Sequence, residues 1–115
     1  MSNVDDAQRI VKRLVRGTDL AAWEITVEIN DKPGKDSAEI EFDDDYPTYA
    51  ATIHVHSDWA NRAFSTLEQI VGHELGHLIV NHGTRWLNKS EQRDTLEEYL
   101  ASRVGKLLID KSKAR

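Results

Sequence analysis

The chain reads as an α+β domain with an N-terminal helix, a small three-stranded, mainly antiparallel sheet and two C-terminal helices. Three observations predict it. Apolar residues recur at helical spacing near the N-terminus, alternate with polar residues through three successive stretches in the middle, and return to helical spacing in the C-terminal half.

From Val4 to Arg16 the residues Ala7, Ile10, Val11, Leu14 and Val15 share one helical face, and Gly17 stands where such a helix would stop. Trp23, Ile25, Val27 and Ile29 alternate with Glu24, Thr26 and Glu28, the period of a half-buried strand. Asp31-Lys32-Pro33-Gly34-Lys35 is a connecting loop. Alternation resumes with Ala38, Ile40 and Phe42 against Glu39 and Glu41, and again with Ala51, Ile53 and Val55 against Thr52, His54 and His56. The run Asp43-Asp44-Asp45 lacks the alternating ligands, glycine and distant glutamate of a calcium loop, and reads as a solvated turn. After a short helical piece near Asp58 to Phe64, Ser65-Thr66-Leu67-Glu68 forms a capping-box pattern. The central helix therefore starts near Thr66 and runs to about Asn81, with Gly83 as its stop. A last helix follows Ser90 and carries Leu96, Leu100, Val104, Leu107 and Leu108 on one face.

Length and composition narrow the function. The 115 residues are read as one domain spanning 1–115. With no cysteine there is no thiolate nucleophile, so any metal must be held by histidine and carboxylate. A net charge of −5 with scattered basic residues argues against a nucleic-acid partner, and no stretch is long enough to span a membrane. The start Met1-Ser2-Asn3-Val4-Asp5-Asp6 lacks the basic and apolar segments of a signal peptide, so a cytoplasmic location is expected. The oligomeric state is left open.

The segment Val71-Gly72-His73-Glu74-Leu75-Gly76-His77-Leu78 contains H-E-x-x-H. Histidines at i and i+4 lie one turn apart on the same helical face, so both imidazoles can reach one ion, with the glutamate alongside them. A Zn2+ held by three protein ligands keeps a position for water and lowers its pKa to about 7. Glu74 would take the proton of that metal-bound water and pass it to the leaving amine. Leu67, Ile70, Val71, Leu75, Leu78 and Ile79 make this the most hydrophobic helix of the chain, so its polar residues need partners. Gly72 and Gly76 form a bare strip where another element can approach closely.

A third ligand is required. In H-E-x-x-H-x-x-G-x-x-H the last two positions fall on Val80 and Gly83, which excludes that pattern. Leu96-Glu97-Glu98-Tyr99-Leu100-Ala101-Ser102 supplies Glu97, near the apolar stripe, and Glu98, on a face with Ala101, Ser102 and Gly105. That small-residue face would fit against Gly72 and Gly76, so facing favours Glu98 over Glu97. Zinc deaminases pair their glutamate with cysteine ligands, which this chain lacks. A peptide-bond hydrolase is preferred over a catalytically silent zinc-binding interaction or regulatory module, in which Glu74 would have no evident duty.

On these motifs the chain resembles a gluzincin-type zinc metallopeptidase, in particular the short, single-domain minigluzincins of bacteria and phages. His73-Glu74-Leu75-Gly76-His77 is the specific part, and Glu98-Tyr99-Leu100-Ala101 matches the E-x-x-A form that often carries the third ligand. The resemblance implies a zincin-like fold and a zinc metalloendopeptidase acting on a particular protein or peptide substrate. It also implies that the strand before the metal helix, Tyr49 to His56, forms the rim of the cleft and pairs with substrate, with a role for His54 and His56 open. No histidine or tyrosine follows Tyr99, so the oxyanion donor that many gluzincins take from a later subdomain has only His82, Tyr46 and Tyr99 as candidates here.

Overall fold

A computed structural model describes residues 3–43, 49–62, 66–84 and 91–114. The elements are α1 (Asn3–Val15), β1 (Glu24–Asn30), β2 (Ala38–Asp43), β3 (Ala50–His56), α2 (Leu67–Thr84) and α3 (Glu91–Lys113), with 3-10 turns at Asp19–Ala22 and Trp59–Asn61. This is the α+β arrangement expected. Among the described residues no helix is long and apolar enough to cross a membrane.

Helix α1 carries Asp5 and Asp6 in its first turn and Lys12 and Arg13 in its last, each charge matched to the helix dipole. Its apolar stripe buries Ala7, Val11, Leu14 and Val15, and Gly17 then takes φ 77°, a left-handed turn that stops the helix. Helix α2 begins at a capping box one residue later than the sequence suggests. Gln69 N donates to Thr66 Oγ1 at 3.1 Å, and Thr66 N donates to the Gln69 side-chain oxygen at 2.9 Å. Glu68 is thereby freed from capping and instead meets Arg13 of α1 and, at 3.2 Å, Lys113 of α3. At its other end α2 runs through Gly83 to Thr84, since an interior glycine costs a helix only about 1 kcal/mol. Ser65, Tyr46 and Asp44-Asp45 lie outside the described residues, as do the side chains of His82 and Leu96.

The three-stranded sheet is mixed where a mainly antiparallel one was expected. Its order is β1-β3-β2, with β3 parallel to β1 and antiparallel to β2. Charge and burial account for this. A hairpin of β1 with β2 would set Glu24 and Glu28 beside Glu39 and Glu41, and like charges across a ladder destabilise it. Strand β3 has no charged carboxylate or amine and inserts between them, so Glu28 and Glu39 both face His54 in one row. The inward rows are apolar: Val27, Ile53 and Ile40 align, as do Ile29, Val55 and Ala38. Ala51, Ile53 and Val55 are buried together with Leu14, Val71, Leu75 and Leu78 in the core between sheet and helices.

The two edges of the sheet differ. Along β1 the Gln8 side chain of α1 acts like a short strand: Nε2 donates to Ile25 O at 3.2 Å, and Oε1 accepts from Val27 N at 2.5 Å. At the opposite edge, His56 N donates to Ser37 O at 2.8 Å. Alternation along an antiparallel ladder then turns the backbone groups of Ser37, Glu39 and Glu41 toward β3 and those of Ala38 and Ile40 outward. Among the described residues no strand pairs with that outward edge, and Arg62 donates to Asp36 O at its start at 3.3 Å.

Candidate metal centre

The centre is built by the close approach of α2 and α3. A Cβ added to Gly76 would overlap the Ala101 carbonyl, and one added to Gly105 would lie 2.6 Å from Gly72 O. Any larger residue would hold the helices apart. The small-residue face of α3 therefore seats on the glycine strip of α2, as its sequence suggested. Glu98, one turn before Ala101, is carried over the H-E-x-x-H face.

His73 Nε2 and His77 Nε2 are 3.0 Å apart, and the Glu98 carboxylate spans them. Its Oε1 is 2.9 Å from His73 Nε2, and its Oε2 is 3.1 Å from His77 Nε2. Each of the three offers one ligand atom within 4.8 Å of the others, the one such group among the described residues. Ligands of a tetrahedral zinc stand about 3.4 Å apart, so the cluster needs to open by only a few tenths of an ångström. Two imidazole nitrogens at this distance, faced by a carboxylate, form a donor set that could hold a metal cation. Burial holds His77 below its ordinary pKa, with Glu98 pulling in the opposite direction, which favours the neutral ring with a lone pair to give.

Two polar side chains lie beside this cluster. Glu97 is not a member; its Oε1 lies 3.9 Å from His77 Nδ1, on the far side of the ring. Ser102 Oγ is 3.3 Å from His73 Nδ1. Both imidazoles thus turn Nε2 toward Glu98 and Nδ1 toward a polar side chain, the orientation seen when an outer group fixes a metal-ligating histidine.

Glu74 is only 7 % exposed. Its pKa is raised from the ordinary 4.5 to about 8, first by burial and then by the negative charges of Glu98, Asp36 and Glu39. A buried carboxyl with that perturbation, opening onto a cleft, is a candidate for proton transfer. The cleft, of about 970 Å³, is walled by Asp36 to Ile40 on one side and by α2 and α3 on the other.

Comparison with family models, with curated proteins and with solved structures returns no match to this chain. The resemblance to gluzincins therefore rests on the sequence motifs.

The structure brings together His73, His77, Glu98 and Glu74 and leaves other candidates outside. Strand β3 is central, so Tyr49 to His56 has no free edge; β2 is the rim strand. His54 and His56 lie on the face of the sheet turned away from the helices. Asn30 Nδ2 is 3.0 Å from His54 Nδ1, and the Glu41 carboxylate is 3.5 Å from its Nε2. His56 Nδ1 accepts from Asp58 N at 2.9 Å. Neither lines the cleft. Tyr99 is 58 % exposed, and the Arg103 guanidinium lies 5.9 Å from its ring centre; it does not line the cleft. Asn81 does line the cleft and escaped the sequence reading. Its signal was its spacing, one further turn along the His73 and His77 face.

Proposed function

We propose that this chain is a zinc-dependent metallopeptidase that hydrolyses a peptide bond in a protein substrate. The observation that carries the reading is Glu74: a buried carboxyl of raised pKa, opening onto a cleft beside converging histidine and glutamate ligands. A structural helix has no use for such a group, because ionising it costs stability.

His73, His77 and Glu98 would hold the metal, with Glu97 and Ser102 positioning the two rings. Zinc bound there supplies Lewis acidity, which acidifies a water and polarises a carbonyl. An extended substrate pairs through its backbone with the outward groups of Ala38 and Ile40, which sets its carbonyl over the ligands. Glu74 accepts a proton from the attacking water as the carbon–oxygen bond forms. It then returns that proton to the amine nitrogen as the carbon–nitrogen bond breaks. A cation held by His73, His77 and Glu98 would favour the ionised form of Glu74 and bring its pKa back toward the working range of a base.

The test combines elemental mass spectrometry with cleavage of a fluorescence-quenched peptide library. About one zinc per chain is expected, lost in His77→Ala and Glu98→Ala and kept in Glu97→Ala and Glu74→Gln. Cleavage by Glu74→Gln should fall by about 10²- to 10⁴-fold. A chain that cannot be loaded with zinc, or a Gln variant that cleaves as fast as wild type, overturns the reading.

A further inference from the structure

The strand that offers its backbone to the cleft also brings negative charge to it. Asp36 stands just before β2 and is exposed, Glu39 is half-buried within β2 on the row that faces His54, and both are among the residues at the cleft rim. Among the described residues neither carboxylate has an ion-pair partner, whereas Glu68, further along the cleft, is held by Arg13 and Lys113. Lys113 lines the cleft at the start of α2, where it pairs with Glu68, and Lys106 lines it beside Gly105, which packs on Gly72 and His73. A bound zinc would balance Glu98 and Glu74, leaving Asp36 and Glu39 on the rim opposite; Arg62 donates to the Asp36 backbone carbonyl at 3.3 Å and makes no ion pair with either carboxylate among the described residues.

We infer that the cleft selects an extended peptide segment carrying a lysine or arginine beside the bond presented to the metal centre, with Asp36 and Glu39 as the selecting groups. The assignment of a scissile bond rests on the peptidase reading; the preference for a basic segment does not.

Three features favour this occupant. Asp36 and Glu39 do not converge with other ligands on one point, since the one compact donor group among the described residues is His73, His77 and Glu98. Spread charge of this kind suits a long, flexible cationic side chain better than a second metal ion. The free backbone groups of Ala38 and Ile40 demand an extended chain, and alternate side chains of a paired strand lie along the rim, within reach of Asp36 and Glu39. Both carboxylates also line the same cleft as Glu74 and the ligand cluster. A cationic substrate residue there would be attracted by both, and an acidic one would be repelled.

The test uses zinc-loaded protein and fluorescence-quenched decapeptides in which each position is in turn lysine, norleucine or glutamate. Cleavage is measured with wild type. Binding is measured by fluorescence anisotropy with Glu74→Gln, so that affinity is read without turnover. Lysine should be favoured over norleucine by roughly three- to thirtyfold at one or two positions, and glutamate should be the poorest residue there. The preference should shrink in 300 mM salt and approach unity in the D36N/E39Q double variant, whose zinc content and circular dichroism verify its fold. Should that variant not fold, the salt series on wild type decides by itself. Cleavage without a lysine preference, or a preference unchanged by salt and by D36N/E39Q, overturns the inference and leaves the peptidase standing. Lysine-selective binding with no cleavage of any peptide does the reverse. Absence of binding to any peptide overturns the inference.

Discussion

Replacing Glu74 by glutamine should stabilise the metal-free protein by an amount that grows with pH. The folded chain holds the Glu74 proton up to about pH 8, whereas the group ionises near 4.5 when free of its surroundings. Between these values the folded state binds more proton than the unfolded state, so stability falls as pH rises through the window. The slope is about 1.4 kcal/mol per pH unit, which accumulates to about 3 kcal/mol at pH 7 and levels off near 5 kcal/mol above pH 8. Glutamine keeps the shape and cannot ionise. Urea unfolding of both chelator-treated proteins from pH 5 to 9 should give curves that coincide at the acid end and separate toward neutrality. Zinc should close the gap, because the nearby cation favours the carboxylate. Parallel curves in the absence of metal would refute the claim that burial, helped by Glu98, Asp36 and Glu39, holds the proton on Glu74.

The helix contact and the closed sheet edge make further predictions. Gly76→Ala should cost about 2–4 kcal/mol in urea unfolding despite its better helix propensity, and should weaken zinc binding, because the new methyl overlaps the rigid Ala101 backbone and pushes Glu98 away. Gly72→Ala should stay within about 1 kcal/mol of wild type, since its first contact is the movable end of the Ile109 side chain at 3.0 Å. Gln8→Ala leaves Ile25 O and Val27 N without their partner and should destabilise by about 1–3 kcal/mol. Gln8→Glu, which still accepts from Val27 N but has no proton for Ile25 O, should fall between the two in the same assay.

Much of the centre was legible from local spacing. Histidines at i and i+4 share a face in any α-helix, so His73, Glu74 and His77 fall together whatever the fold around them. Gly72, Gly76, Ala101 and Gly105 likewise announced a close contact, and the contact then selects Glu98 over Glu97 by facing. Details of one residue were less secure. The capping box could be written on Ser65 with Glu68 or on Thr66 with Gln69, and the choice depends on Glu68 being drawn away by Arg13 and Lys113 from two other helices.

The order of the strands was not legible in this way. Alternation assigns each of β1, β2 and β3 an inward and an outward face but carries no information about neighbours, so Tyr49 to His56 reads as the rim when it is the central strand. The same gap sets His54 and His56 near the chemistry and hides Asp36 and Glu39. By itself, then, the sequence determined the helices, the faces of the strands and the convergence of His73, Glu74 and His77, because each follows from the repeat of a single element. Which strand borders the cleft, and hence which side chains meet a substrate, was decided only by the tertiary structure. That order emerges from competition among distant segments, in which the carboxylates of β1 and β2 are kept apart and the most buried strand is drawn to the middle of the sheet.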